Sequence, residues 1–257
     1  MHVYCCQFDI AWEDKGANHA RVRAMLEEAA VERGSLVILP EMFATGFSMA
    51  VEKIAEDSAG PTRVFLSHLA QAVGVWLMGG VVTRGPDGLG RNEAVVYSPA
   101  GMEVARYAKM HPFSFGKETG NYGRGDEVVV FEWEGVQVAP FVCYDLRFPE
   151  VFREAVFRGA QVICVIANWP SSREAHWVTL LKARAIENQA YVAAVNRCGE
   201  EPKLSYSGRS LIIDPRGEVI ADAGDGEKVI FAELDMKGLA EYREEFPALK
   251  DRHPGKT

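Results

Sequence analysis

The sequence predicts one domain of mixed α/β type, and three observations carry that reading. Short apolar runs alternate with segments of helical period, turn signals between neighbouring strands mark antiparallel hairpins, and no Ser/Gly/Pro-rich linker divides the 257 residues. The composition supplies the core. With 48% hydrophobic residues, 13 Phe, 5 Trp and 8 Tyr, the chain has far more core-forming side chains than a disordered one. At this length it buries roughly 75% of its unfolded surface without a disulfide or metal.

The elements follow in order. Residues 2–10 are strand-like and apolar. Residues 17–33 place Val22, Met25, Leu26, Ala29 and Ala30 at helical spacing, and Gly34 ends them. Leu36-Val37-Ile38-Leu39 is a short apolar strand stopped by Pro40. Residues 61–73 read as a helix with Pro61 in its first turn, and 75–82 as a buried strand. That pair explains the charge-free stretch 64–83, broken by Gly74, Gly79 and Gly80, better than a membrane span does. Residues 92–98 and 102–108 form a hairpin through Pro99-Ala100-Gly101, and 128–133 and 136–143 another through Glu134-Gly135. A helix at 149–158, a strand at 161–167, a helix at 172–188 and a strand at 190–196 come next. Strands at 210–214, 219–222 and 228–234 complete a domain over residues 1–235. The polar stretch 236–257 reads as a tail or arm, frayed over 250–257.

Charge and cysteine usage exclude several functions. The formal charge of -8, from 28 Lys+Arg against 36 Asp+Glu, works against nucleic acid as a partner. No charged leader with an apolar segment opens the chain. Five cysteines without a Cys-x-x-Cys pair give no zinc or disulfide framework, so a reduced, soluble, cytoplasmic protein without a membrane partner is expected. Adjacent Cys5 and Cys6 suggest nothing beyond burial on a strand. Gly-x-Gly-x-x-Gly, Gly-x-Ser-x-Gly and His-Glu-x-x-His are all absent. Gly255-Lys256-Thr257 imitates the end of a phosphate loop, but no helix can follow it.

Three strand ends carry residues that could do chemistry. The run 36–39 ends in Pro40-Glu41, the strand 102–108 in Lys109, and the strand 136–142 in Cys143, shortly before the helix-opening pair Pro149-Glu150. Ligands collect at the carboxyl ends of strands in open α/β sheets. A thiol, a carboxylate and an ammonium gathered there suit thiol-based acyl transfer. The carboxylate would take the thiol proton and the ammonium would stabilise an oxyanion. The helix N-terminus and Lys109 would both favour the thiolate. Each residue also has an ordinary reading: a buried Cys as a small hydrophobe, Glu41 as a turn carboxylate, Lys109 as a solvated surface lysine and His111 as a loop residue.

Their surroundings decide between these. The chain resembles the nitrilase, or carbon–nitrogen hydrolase, superfamily in five blocks in the right order. These are Leu39-Pro40-Glu41-Met42-Phe43, Lys109-Met110-His111, Cys143-Tyr144-Asp145-Leu146-Arg147-Phe148-Pro149-Glu150, Asn168-Trp169-Pro170, and Ala183-Arg184-Ala185-Ile186-Glu187-Asn188. The resemblance implies a four-layer α-β-β-α sandwich and hydrolysis of a non-peptide C–N bond through a thioester, with no metal or organic cofactor. It makes Glu41 the general base, Lys109 the oxyanion stabiliser and Cys143 the nucleophile, with the Tyr144 N–H completing the oxyanion hole and Glu118 as a second carboxylate. It also implies a homodimer through the helices near Cys143. Arg184 and Glu187, three apart on one helix, are expected to form a buried ion pair.

The branch most similar is that of the bacterial ω-amidases, on Thr45-Gly46-Phe47-Ser48-Met49, Asn168-Trp169-Pro170-Ser171-Ser172-Arg173, His176-Trp177-Val178-Thr179-Leu180-Leu181 and Tyr206-Ser207-Gly208. This implies a small amide substrate such as 2-oxoglutaramate or 2-oxosuccinamate, contacted by Phe47, Tyr144, Trp169 and Arg173. Arg173 is the candidate for the substrate's carboxylate, and Arg147 is expected to pair with Glu150 or Asp145. An aliphatic amidase, an N-carbamoyl hydrolase and a non-catalytic binding protein on the same fold remain alternatives. Nitrile hydrolysis fits Cys143-Tyr144-Asp145 less well, and a thiol redox protein would need a resolving cysteine that nothing nearby offers.

Overall fold

Two six-stranded sheets form the centre of the molecule in a computed structural model that describes residues 1–57 and 59–251. Numbered along the chain, β1 (His2–Gln7), β2 (Leu36–Ile38), β3 (Trp76–Arg84), β4 (Gly90–Tyr97) and β5 (Glu103–Ala108) join the last strand, β14 (Lys228–Glu233), in the order β14-β1-β2-β3-β4-β5. The second sheet takes β6 (Phe131–Trp133), β7 (Val136–Val142), β8 (Val162–Ala167), β9 (Tyr191–Asn196), β12 (Leu211–Ile213) and β13 (Val219–Asp222), in the order β13-β12-β9-β8-β7-β6. Both have a parallel centre, β1-β2-β3 and β7-β8-β9, with antiparallel flanks.

Strand alternation sets the layers. Val3, Cys5, Leu36, Ile38, Met78, Ala94 and Val96 pack with Val138 and Val142 of the other sheet. Their neighbours Tyr4, Cys6, Val37, Leu77 and Val95 pack instead on α1 (Lys15–Glu28) and α3 (Pro61–Val73) through Val22, Met25, Leu26, Leu66 and Leu69. Successive residues on a strand face opposite ways, so Cys5 and Cys6 enter different layers of core. The short α2 (Val51–Ile54) lies between α1 and α3 in sequence. On the far side, α4 (Pro149–Phe157) and α5 (Glu174–Asn188) cover the second sheet with Val151, Phe152, Trp177 and Leu181. The result is the α-β-β-α sandwich, as expected.

Boundaries moved where local geometry intervened. The first helix stops at Glu28, not near Gly34, because the Ala29 N–H closes onto Met25 O and Ala30 turns left-handed at φ 47. A hairpin, β10 (Cys198–Glu201) and β11 (Leu204–Ser207), stands outside both sheets and was not anticipated. The polar stretch after residue 235 opens as a helix, α6 (Met236–Glu245), with Asp235 accepting from the Gly238 N–H and Leu239 buried. The Arg243 Nε donates to Gln189 O at 2.8 Å, so this segment is docked on the body. Residues 252–257, with Gly255-Lys256-Thr257 and most of the expected frayed end, lie outside the described residues. Among the described residues, no helix is long and apolar enough to cross a membrane.

Candidate active site

Glu41, Lys109 and Cys143 come from three strand ends and meet at one end of the sandwich. Glu41 follows β2, and its backbone is seated on β3 by Gly80. A Cβ on Gly80 would stand 2.3 Å from Met42 N and 2.6 Å from the Glu41 Cα, so only glycine fits. Gly80, taken from the sequence as an interruption, is therefore what admits the Glu41 turn. Lys109 follows β5 and is fixed by its N–H to Asn92 O at 2.8 Å. Its Nζ lies 3.1 Å from Glu41 Oε1 and 2.8 Å from Glu118 Oε2, with all three side chains buried. The Asn92 Nδ2 donates to both carboxylates, at 2.7 Å to Glu41 Oε1 and 2.9 Å to Glu118 Oε1.

Buried charges of this kind need partners for every lone pair. Glu41 Oε2 receives the Asn168 N–H at 2.7 Å, and Asn168 Nδ2 also donates to Glu41 O at 2.8 Å. Glu118 receives the Phe113 N–H. Burial works against the Lys109 charge, but Glu118 and Glu41 outweigh it and hold the ammonium well above the usual lysine range. A fixed cation thus stands between two carboxylates, with the Phe47 ring 5.4 Å from its Nζ.

Cys143 occupies the first residue after β7 at φ 47, in the left-handed region that costs a residue with a Cβ about 1–2 kcal/mol. Asp145 secures that turn. It receives the Val142 N–H at 3.2 Å, the Tyr107 hydroxyl at 2.8 Å and the His111 N–H at 2.9 Å, so one buried carboxylate ties the Cys143 turn to the segment after Lys109. Arg184 adds a second tie, Nη2 to Leu146 O at 2.6 Å. Its ion pair with Glu187, 2.8 Å, is buried only on the arginine side.

The expectation of a favoured thiolate is corrected. Burial pushes the Cys143 thiol well above its ordinary value, Glu41 pushes the same way, and Lys109 only partly offsets them. Two carboxylates against one ammonium leave no net positive field for the sulfur. Burial and the two carboxylates thus act toward the protonated thiol. A titration at the thiolate absorption band, wild type against Cys143→Ala, should show no difference step at or below the ordinary thiol value of about 8.5. A step there would restore the preformed thiolate.

The pocket above Cys143 holds about 410 Å³ of empty space including its mouth. Phe47, Tyr144, Trp169 and Arg173 all line it. So does Arg147, which pairs with neither Glu150 nor Asp145. Its guanidinium lies 4.8 Å from the Trp169 ring and 5.8 Å from Tyr144, with Nη2 3.2 Å from His176 Nδ1. Asp145 is already saturated by Tyr107, His111 and Val142, which is why that pairing does not form. Arg173 lies 5.5 Å from the Phe113 ring. Neither arginine makes an ion pair with a carboxylate among the described residues. Arg209, by contrast, is held by Asp222 at 2.8 Å and Glu174 at 3.0 Å.

Sequence reasoning missed Asn92 and the latch role of Asp145. Asn92 had one available signal, a poor strand former opening an apolar strand.

A family model described as carbon–nitrogen hydrolase matches residues 3–244. The chain is 34% identical over 250 residues to 2-oxoglutaramate amidase of Bacillus subtilis (strain 168), covering 97% of this chain and 96% of that one. It is 39% identical over 249 residues to omega-amidase YafV of Yersinia enterocolitica, covering 95% and 94%. Among solved structures, XC1258 from Xanthomonas campestris, a CN-hydrolase superfamily protein with an arsenic adduct in the active site, superposes with a TM-score of 0.94 at 37% identity, covering 100% of this chain and 98% of that one.

Proposed function

The chain belongs to the carbon–nitrogen hydrolase family and is an amidohydrolase, and we propose that it removes the terminal amide of a small 2-oxo dicarboxylic monoamide, such as 2-oxoglutaramate or 2-oxosuccinamate. The observation that carries this reading is the pair of guanidiniums, Arg147 and Arg173, lining the Cys143 pocket without a carboxylate partner among the described residues. A cation kept uncommitted in a pocket suits an anionic substrate. The names of the amidases similar to this chain support the same substrate class.

Glu41 takes the thiol proton as the Cys143 Sγ attacks the amide carbon. The carbonyl oxygen becomes an oxyanion, met by the Lys109 ammonium and the Tyr144 N–H. Glu41 passes its proton to the nitrogen, the C–N bond breaks, and ammonia leaves a thioester on Cys143. Water then attacks the thioester, Glu41 takes the water's proton and returns it to the sulfur, and the 2-oxo diacid departs. Glu118 keeps Lys109 charged and aimed throughout. No step needs a metal or cofactor.

The reading also carries a cytoplasmic setting, supported by five unpaired cysteines, and the homodimer through the helices near Cys143 that the family resemblance implies. A monomeric mass in light scattering would remove the dimer.

Removing a hydrogen-bond partner from a charged group costs about 1.5–3 kcal/mol, or roughly 10- to 150-fold in binding. Arg173→Ala should therefore lower kcat/KM for 2-oxoglutaramate by that factor and hardly touch a neutral amide of similar length. Equal losses on both would make Arg173 a structural residue. No loss on either would shift the carboxylate to Arg147, since Arg209 is already ion-paired.

A further inference from the structure

We propose that Leu204, at the tip of the β10–β11 hairpin, is the residue that sets how long a substrate chain the pocket accepts. The proposal rests on the ω-amide reading above and adds the element that measures the substrate. The hairpin belongs to neither six-stranded sheet.

Its register gives the inner face. Gly199 pairs with Tyr206 and Glu201 with Leu204, which puts these four on one side, while Glu200 and Ser205 point the other way and are exposed. On the inner face Tyr206 is buried and the Glu201 side chain is only 6% exposed. Leu204 alone on that face is 41% exposed, and it lines the Cys143 pocket. An apolar side chain left open on an otherwise buried face, with a pocket in front of it, is placed to touch what enters the pocket.

The tip is also held. Arg197, wholly buried, donates through Nη2 to Asp9 Oδ1 at 2.6 Å and to Glu200 O at 2.9 Å, and through Nε to Cys198 O at 3.1 Å. Its Nη1 lies 3.6 Å from Glu201 Oε2, and its guanidinium stands 4.5 Å from the Tyr206 ring. The residue directly across from Leu204 thus lies at ion-pair distance from a buried cation. Gly199 permits the close seat, because a Cβ there would fall 2.1 Å from the Asp9 carboxyl carbon. β11 packs in turn on the Ser171–Arg173 turn. Leu204 and Arg173 therefore share one rim of the pocket, and a substrate whose carboxylate reaches Arg173 ends beside the Leu204 side chain.

One methylene in an apolar pocket changes kcat/KM by about 10- to 200-fold. The test measures kcat/KM for 2-oxosuccinamate, 2-oxoglutaramate and 2-oxoadipamate with wild type, Leu204→Ala and Leu204→Phe. The neutral amides butyramide, valeramide and hexanamide form a parallel series. Leu204→Ala should raise the ratio of the longest to the middle member by about 10-fold or more, and Leu204→Phe should lower it and favour the shortest. Ratios that stay within twofold across all three proteins would overturn the proposal. If no 2-oxo amide is turned over by wild type, the ω-amide reading fails while the neutral series still decides whether Leu204 measures length. Because Leu204 is half-exposed and outside the sheets, both variants should keep the wild-type Tm, which separates a changed ratio from a damaged fold.

Discussion

Replacing Cys143 with alanine is expected to lower kcat by roughly 10⁴- to 10⁶-fold while leaving the fold intact. The size follows from the mechanism: without sulfur there is no thioester, and water alone must attack an unactivated amide. The fold should survive because alanine keeps the Cβ that already tolerates φ 47 at this position. The Asp145 contacts to Val142, Tyr107 and His111, which hold the turn, do not involve the sulfur. Iodoacetamide should label Cys143 ahead of the others. All five cysteines are buried, but only Cys143 lines the pocket, and it is 8% exposed against 2% or less for the other four. If Glu41 takes the thiol proton, Glu41→Gln should slow alkylation as well as turnover. Labelling that concentrates on Cys5 or Cys198, or a Cys143→Ala protein with ordinary activity, would remove the nucleophile assignment.

How much of this was legible in the sequence depended on where the physical signal lay. A strand covered on both faces leaves a near-continuous apolar run, so β1, β3, β7, β8 and β9 were readable to within a few residues. The hairpin β10–β11 buries one face of four short residues per strand and carries Glu200, Glu201, Pro202 and Lys203 at its turn, so period-two patterning is absent. Helix α6 buries little beyond Leu239, and a mostly polar helix is indistinguishable from a tail by hydrophobicity alone.

The site divides along the same line. Glu41, Lys109 and Cys143 stand at the ends of readable strands, whereas their meeting depends on pairing between two sheets that no local pattern encodes. Glu118 came only through family resemblance, because its place is set by a pair of 3-10 turns and a left-handed Lys117. The state of the thiol was misread for a related reason. Proximity of Lys109 was visible, but the count of two carboxylates around one ammonium, all out of water, is a property of the assembled site.

That count sets the expectation for Lys109→Met. If the ammonium meets the oxyanion, kcat should fall by roughly 10²- to 10³-fold with a smaller change in substrate affinity. The same substitution leaves Glu41 and Glu118 buried together, sharing the Asn92 amide with no cation between them. Removing one partner from a buried ion pair costs about 3–5 kcal/mol, so a lower Tm is expected as well, and loss of activity alone would be ambiguous. Lys109→Arg should not rescue either property, because a broader guanidinium has to fit a site in which the lysine is fully enclosed. The double variant Lys109→Met, Glu118→Gln resolves the ambiguity. It removes one negative charge along with the positive one, returning the cluster to its original net charge, and Gln can still accept the Phe113 N–H through its carbonyl oxygen. It should regain most of the lost Tm and almost none of the lost kcat. Recovery of kcat in step with Tm would show that Lys109 serves only to neutralise its neighbours. A single variant with unchanged kcat would return Lys109 to a structural role and leave the Tyr144 N–H as the sole oxyanion donor.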